Sequence, residues 1–149
     1  MNNSGTENVN ILIAEDDEGH YRLITNRFRE VGVVNPVVRF ADGQEAWDFL
    51  SGESSPCLVP EQHYVLLLDI RMPGLDGIEV LRRVKADPRL KKLPVIMLTT
   101  TDDQVEIERC YALGCSSYLV KPVEFEKFAE VVKRLGLFIS IVKVSPPGL

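Results

Sequence analysis

Apolar residues in this chain come in short solid blocks separated by stretches in which they recur only every third or fourth position. The solid blocks are Val9 to Ala14, broken only by Asn10, then Pro36 to Phe40, Tyr64 to Asp69, Leu93 to Leu98 and Ser116 to Val120. Each reads as a strand. The four aliphatics Val65 to Leu68 have no polar alternate, the pattern of a strand covered on both faces at the centre of a parallel sheet. Between the blocks the period changes to that of a helix. Tyr21, Ile24, Phe28 and Val31 form one stripe within Glu18 to Val31, and Ala46, Trp47, Phe49 and Leu50 form a second. Ile78, Leu81 and Val84 mark a third over Gly77 to Ala86; a fourth helix runs from about Asp103 to Leu113, and Phe125, Phe128, Val132 and Leu135 mark a fifth over Glu124 to Leu135. Gly32, Asp87-Pro88 and Gly114 close helices, Asp42-Gly43 makes a turn, and Asp76 suits an N-cap. Ser51 to His63, with Gly52, Pro56 and Pro60, is the longest irregular connection and reads as a surface loop in which Cys57 and His63 carry no chemistry.

Strand and helix thus alternate five times between residues 9 and 135. Strict alternation with short connections predicts an α/β domain, a parallel sheet with helices on both faces. In such sheets ligands sit outside the carboxyl ends of the strands, where the strand order reverses. In the order 2-1-3-4-5 the ends of strands one and three flank that point. Those ends carry Glu15, Asp16 and Asp17 and, on strand three, Asp69; Thr99 ends strand four and Lys121 ends strand five.

Carboxylates crowded at one rim need protons or a cation. An oxygen-only donor set with room for water and a phosphate suits Mg²⁺ better than zinc or copper. Beside Mg²⁺, Asp69 could act as a nucleophile toward a phosphoryl group, with Lys121 offering a point charge and Thr99 a hydroxyl to its oxygens. Each residue has a plainer role too. Asp17 is read as the N-cap of the first helix, Thr99 suits a cap as well, and Lys121 alone would be a solvated lysine. Their coincidence at one rim is what favours chemistry.

Length and charge narrow the picture further. The chain has 149 residues, 45% of them hydrophobic, enough for one domain with one core. The formal net charge of -5, with no basic stripe, disfavours nucleic acid and anionic membranes as partners. Three cysteines, Cys57, Cys110 and Cys115, fit neither a disulfide framework nor a metal motif, which together with the lack of a signal peptide or a membrane span predicts a soluble cytoplasmic protein. Met1 to Asn8 is expected to be a disordered leader. Residues 137–149 carry Leu137, Phe138, Ile139, Ile141, Val142 and Val144, too apolar for a free end, and are expected to pack on the domain or to build a homodimer. No effector domain is expected after it.

The stretches ILIAEDD, LLLDIRMPGLDG, PVIMLTT and GCSSYLVKP, in this order and spacing, resemble the receiver domain of bacterial two-component response regulators over nearly the whole chain. The resemblance implies a flavodoxin-like (βα)5 fold over residues 9–136 and a phosphoacceptor signalling protein rather than a turnover enzyme. It implies that Asp69 takes a phosphoryl group from a sensor histidine kinase, with Asp16 and Asp69 as direct Mg²⁺ ligands, Glu15 acting through water and Arg71 lending its backbone carbonyl. Thr99 would be the switch hydroxyl, Lys121 the phosphate-binding lysine and Tyr118 the aromatic that reports phosphorylation. It also implies a cis Lys121-Pro122 bond, and it places Arg71 and Thr101 where the family tunes phosphoryl lifetime. The segment from Leu98 to Phe125 with the tail is most similar to stand-alone regulators of phytochrome histidine kinases. A flavodoxin-like cofactor binder is the alternative, disfavoured because EDDEGH after strand one would repel a phosphate. An aspartyl phosphatase would want a second acid where Arg71 stands.

Overall fold

The computed structural model describes residues 9–100 and 103–135. The expectations for Met1 to Asn8, for Thr101 and for the apolar tail lie outside the described residues. Ten elements alternate as the hydrophobic pattern predicts: β1 (Val9–Ala14), α1 (Glu18–Glu30), β2 (Val37–Phe40), α2 (Gly43–Ser51), β3 (His63–Asp69), α3 (Gly77–Ala86), β4 (Val95–Thr99), α4 (Gln104–Leu113), β5 (Ser117–Val120) and α5 (Phe125–Arg134). The strands form one parallel sheet in the order β2-β1-β3-β4-β5, the flavodoxin-like arrangement. No helix among the described residues is long and apolar enough to cross a membrane.

Alternation along the central strands divides the core in two. Leu66 and Leu68 of β3 face α2, α3 and α4, where they meet Phe49, Leu50, Val80, Leu81, Val84 and Cys110. Val65 and Leu67 face α1 and α5, where they meet Ile24, Phe28, Phe128, Val131 and Val132. Leu66, Leu67, Leu68, Ile11, Leu12 and Ile13 are fully buried. Completely covering one such aliphatic side chain stabilises the fold by roughly 1.5–3 kcal/mol, so this pair of strands is the mechanical centre of the sheet.

Four of the five helices start at a capping aspartate, α5 being the exception. Asp17, Asp42 and Asp76 accept hydrogen bonds from the backbone N–H of His20, Glu45 and Glu79, and Asp103 from that of Val105. Each cap contributes about 1 kcal/mol. Asp42 was legible only as a turn residue, yet it begins α2. Gly52 and Gly114 end α2 and α4 in the left-handed conformation.

The boundaries differ from the sequence reading in instructive ways. Pro36 lies outside β2, although its carbonyl still accepts from Ile11 N at 2.9 Å. Ser51 completes α2 and His63 opens β3, because Asn10 donates to the His63 carbonyl at 3.0 Å and ties the strand start to β1. Thr99 belongs to β4. In α3 the inner stripe is Gly77, Val80, Leu81 and Val84 rather than Ile78, which is only partly covered. Gly77 sets that rotation: a Cβ there would stand 2.1 Å from the carbonyl oxygen of Asp69, so α3 presses its first turn directly on the strand end. In α5, Val131 joins Phe128 and Val132 inside, while Phe125 and Leu135 pack at the margin.

Candidate functional site

Register brings the rim residues together. Ala14 is level with Leu68 in the β1–β3 pairing, so the next residues, Glu15 and Asp69, emerge side by side. Glu15 is completely buried and Asp69 nearly so, whereas Asp16 is exposed. Carboxylate oxygens of Glu15, Asp16 and Asp69 lie within 4.8 Å of one another. Thr99 pairs with Val120, which places Lys121 one residue past the last β4–β5 pair, and the Lys121 N–H donates to the Thr99 carbonyl at 2.7 Å. The Lys121-Pro122 bond is cis, as expected. From there the lysine reaches back across the sheet: its Nζ donates to Glu15 Oε1 at 2.8 Å and to Asp69 Oδ2 at 3.2 Å, and lies 3.1 Å from His20 Nδ1. A cavity of about 200 Å³ opens over these groups, lined also by Thr99, Thr100 and Arg71.

Residues 11–133 match the model of the response regulator receiver domain. The chain belongs to this family. A curated relative is the probable methanogenesis regulatory protein FilR2 of Methanothrix harundinacea, 35% identical over 84% of this chain and 79% of that protein. Response regulator Rcp1 of Synechocystis is 29% identical over 86% of each chain, and the structure of its Mn(2+)-bound form superposes with a TM-score of 0.71 at 28% identity, covering 94% of this chain and 99% of that one. The structure of the bacteriophytochrome response regulator AtBRR is similar over 95% of this chain and 99% of that one, at 33% identity and a TM-score of 0.77. Receiver domains are signalling proteins and bind Mg²⁺ at an acidic cluster.

The donor set of this receiver fits such a cation: three carboxylates, one exposed and two buried, offer oxygen ligands only. Their electrostatics show the strain of standing together without one. Burial, and then the neighbouring Glu15 carboxylate, push Asp69 up to about 7, with Lys121 pulling the other way. Burial would lower Lys121, but its contacts with Glu15 and Asp69 outweigh that and raise it. Two buried acids facing one ammonium leave an excess negative charge, which a divalent cation would cancel.

Asp17 is the N-cap of α1 and stays out of the cluster, as its plainer reading had it. The Arg71 side chain turns away from the acids to Glu106 Oε2, 3.3 Å distant on α4, while its backbone N–H lies 3.4 Å from Asp69 Oδ1. Tyr118 is half-buried on β5, edge-on to Tyr111 with ring centres 6.0 Å apart. Cys57, Cys110 and Cys115 are all free, the last two buried. Two residues at the site escaped sequence reasoning. His20 reaches Lys121 from the first turn of α1; the Asp17 cap was the available signal, because it places the third following residue over the rim. Arg39 reaches the site from β2 through its long side chain, and no pattern in the sequence announces it.

Proposed function

We propose that this response regulator takes a phosphoryl group on Asp69 from a phosphohistidine of a sensor histidine kinase, in a Mg²⁺-dependent reaction. The observation that supports it best is the reach of Lys121 Nζ onto both Glu15 and Asp69 beneath an open cavity. An Asp69 oxygen forms the new P–O bond as the P–N bond to the donor imidazole breaks, and the imidazole leaves with the electron pair. Glu15, Asp16, Asp69 and the Arg71 carbonyl would hold the cation, Glu15 through water. When bound, Mg²⁺ neutralises charge on the transferring oxygens. Lys121 turns from Asp69 to one phosphoryl oxygen and Thr99 offers its hydroxyl to another. Thr99 then carries the change outward to Tyr118, whose half-buried ring lies on β5. The protein is on this reading a phosphoacceptor that promotes its own phosphorylation and dephosphorylation, not a turnover enzyme.

Similarity to the bacteriophytochrome response regulator AtBRR over most of its length supports a phytochrome-type light-signalling pathway. The acidic net charge and the lack of a basic stripe support a cytoplasmic protein without nucleic acid or membrane as partner. The apolar residues 137–149 act in a homodimer. Removing them would shift sedimentation toward monomer; identical sedimentation of full-length and shortened protein would end that part of the proposal. The transfer itself is tested with radiolabelled phosphorylated kinase and Mg²⁺. Label moves to wild type and not to Asp69→Asn. Equal labelling of that variant would refute the assignment.

A further inference from the structure

Glu15 and Asp16 hang from a two-residue bridge between the last residue of β1 and the Asp17 cap of α1, and something must hold its backbone still. The carbonyls of Glu15 and Asp16 are engaged by one side chain from the edge strand. Arg39 Nε and Nη2 donate to the Glu15 carbonyl at 3.3 and 3.1 Å, and Nη2 also donates to the Asp16 carbonyl at 3.4 Å. The Tyr21 ring covers the guanidinium, with its centre 5.0 Å from Cζ. No carboxylate pairs with Arg39 among the described residues. Its hydrogen bonds go to backbone oxygens directly behind two acids that face the cavity.

We propose that Arg39 is a positioning residue of the cation site, a planar fork clamped under Tyr21 that fixes the Glu15–Asp16 backbone so that both carboxylates are presented to Mg²⁺. The inference rests on the reading of these acids as the Mg²⁺ site. Charge and geometry pull in opposite directions here, which makes the role testable. As a mere positive charge, Arg39 would repel Mg²⁺ and its removal would tighten binding. As a brace it does the reverse, since a flexible loop must be ordered before it can ligate, and outer-shell partners of ligands commonly set metal affinity by about 10-fold or more. Lysine keeps the charge but has no planar fork able to span two successive carbonyls.

The test is calorimetric titration of the purified, metal-free, full-length protein with MgCl₂, alongside metal-free melting curves. Arg39→Lys and Arg39→Met should each weaken Mg²⁺ binding about tenfold, and Tyr21→Leu about threefold by freeing the guanidinium. Thermal midpoints of Arg39→Lys and Tyr21→Leu should stay within about 4 °C of wild type. Unchanged affinity in Arg39→Lys, or tighter binding in Arg39→Met, would overturn the proposal. An Asp16→Asn control separates the two readings. If wild type binds Mg²⁺, Asp16→Asn does not, and Arg39→Lys matches wild type, only the role of Arg39 is lost; if wild type itself binds no Mg²⁺, the cation site fails with it.

Discussion

Two half-buried lysines in this molecule end up with opposite chemistry. Lys85, near the end of α3, sends its Nζ to the carbonyls of Lys91 and Leu93 at 2.9 and 2.8 Å. Burial lowers its pKa, and among the described residues no carboxylate pairs with it. Lys121, at the carboxyl rim, meets the same burial but touches Glu15 and Asp69, and its pKa rises instead. Burial alone therefore does not mark a functional group. The Lys85 ammonium is satisfied by backbone oxygens alone and makes a closed structural joint. The region around Lys121 sets two buried acids against one ammonium, an imbalance that a divalent cation can offset.

The contrast can be broken most forcefully by deleting each amine. Lys121→Ala should slow phosphoryl acceptance roughly 100- to 1,000-fold, the usual loss for one donor aimed at developing charge, while Lys85→Met leaves it within about twofold, as expected for a residue with no contact to the reacting groups. Comparable losses in both, measured by labelling from the kinase, would erase the distinction. Gly77→Ala forces a methyl into the Asp69 carbonyl and should lower stability by about 3 kcal/mol, near the upper end for overpacking; denaturant unfolding with a midpoint equal to wild type would show that α3 can withdraw freely. Lys85→Met should itself lower stability by about 2 kcal/mol, because the carbonyls of Lys91 and Leu93 lose a charged donor, and denaturant unfolding measures this too.

Smaller effects sharpen the electrostatics. The folded-state pKa of Asp69 lies near 7, above its value in the unfolded chain, so without metal the carboxyl costs stability as pH rises from about 4 to about 7. Asp69→Asn should accordingly melt above wild type in metal-free buffer, by about 4 °C at pH 8, with the gap narrowing toward pH 5. A variant that melts lower at pH 8 would contradict the picture of crowded acids. Since Mg²⁺ needs the ionised carboxylate, its affinity should rise about tenfold between pH 6 and pH 8; calorimetry giving one value at both would mean that Asp69 is already charged.

Much of this was legible in the residues, for reasons that explain what was not. Strand and helix order followed from the change of period, and the rim followed from what stood at each strand end, because parallel strands deliver their carboxyl ends to one side. Glu15, Asp16, Asp69, Thr99 and Lys121 could be gathered on that ground alone. Arg39 could not, since it lies inside a strand and reaches the site sideways through its long side chain. Nor could the inner face of α3, where 78/81/84 and 77/80/81/84 are both helical stripes and the close approach of Gly77 to Asp69 chooses between them. Arg71 shows the same limit: its place after Asp69 was visible, but its pairing with Glu106, thirty-five residues along the chain, was not.

The central claim is that Asp69, rather than any neighbouring acid, carries the phosphoryl group. An aspartyl phosphate, unlike a free carboxylate, is reduced by borohydride to homoserine, so the most direct measurement is peptide mass spectrometry after phosphotransfer in Mg²⁺ and reduction. The account predicts homoserine at position 69 only when both kinase and Mg²⁺ are present. Reduction at Asp16 in place of Asp69, or labelled protein with position 69 unchanged, would contradict it.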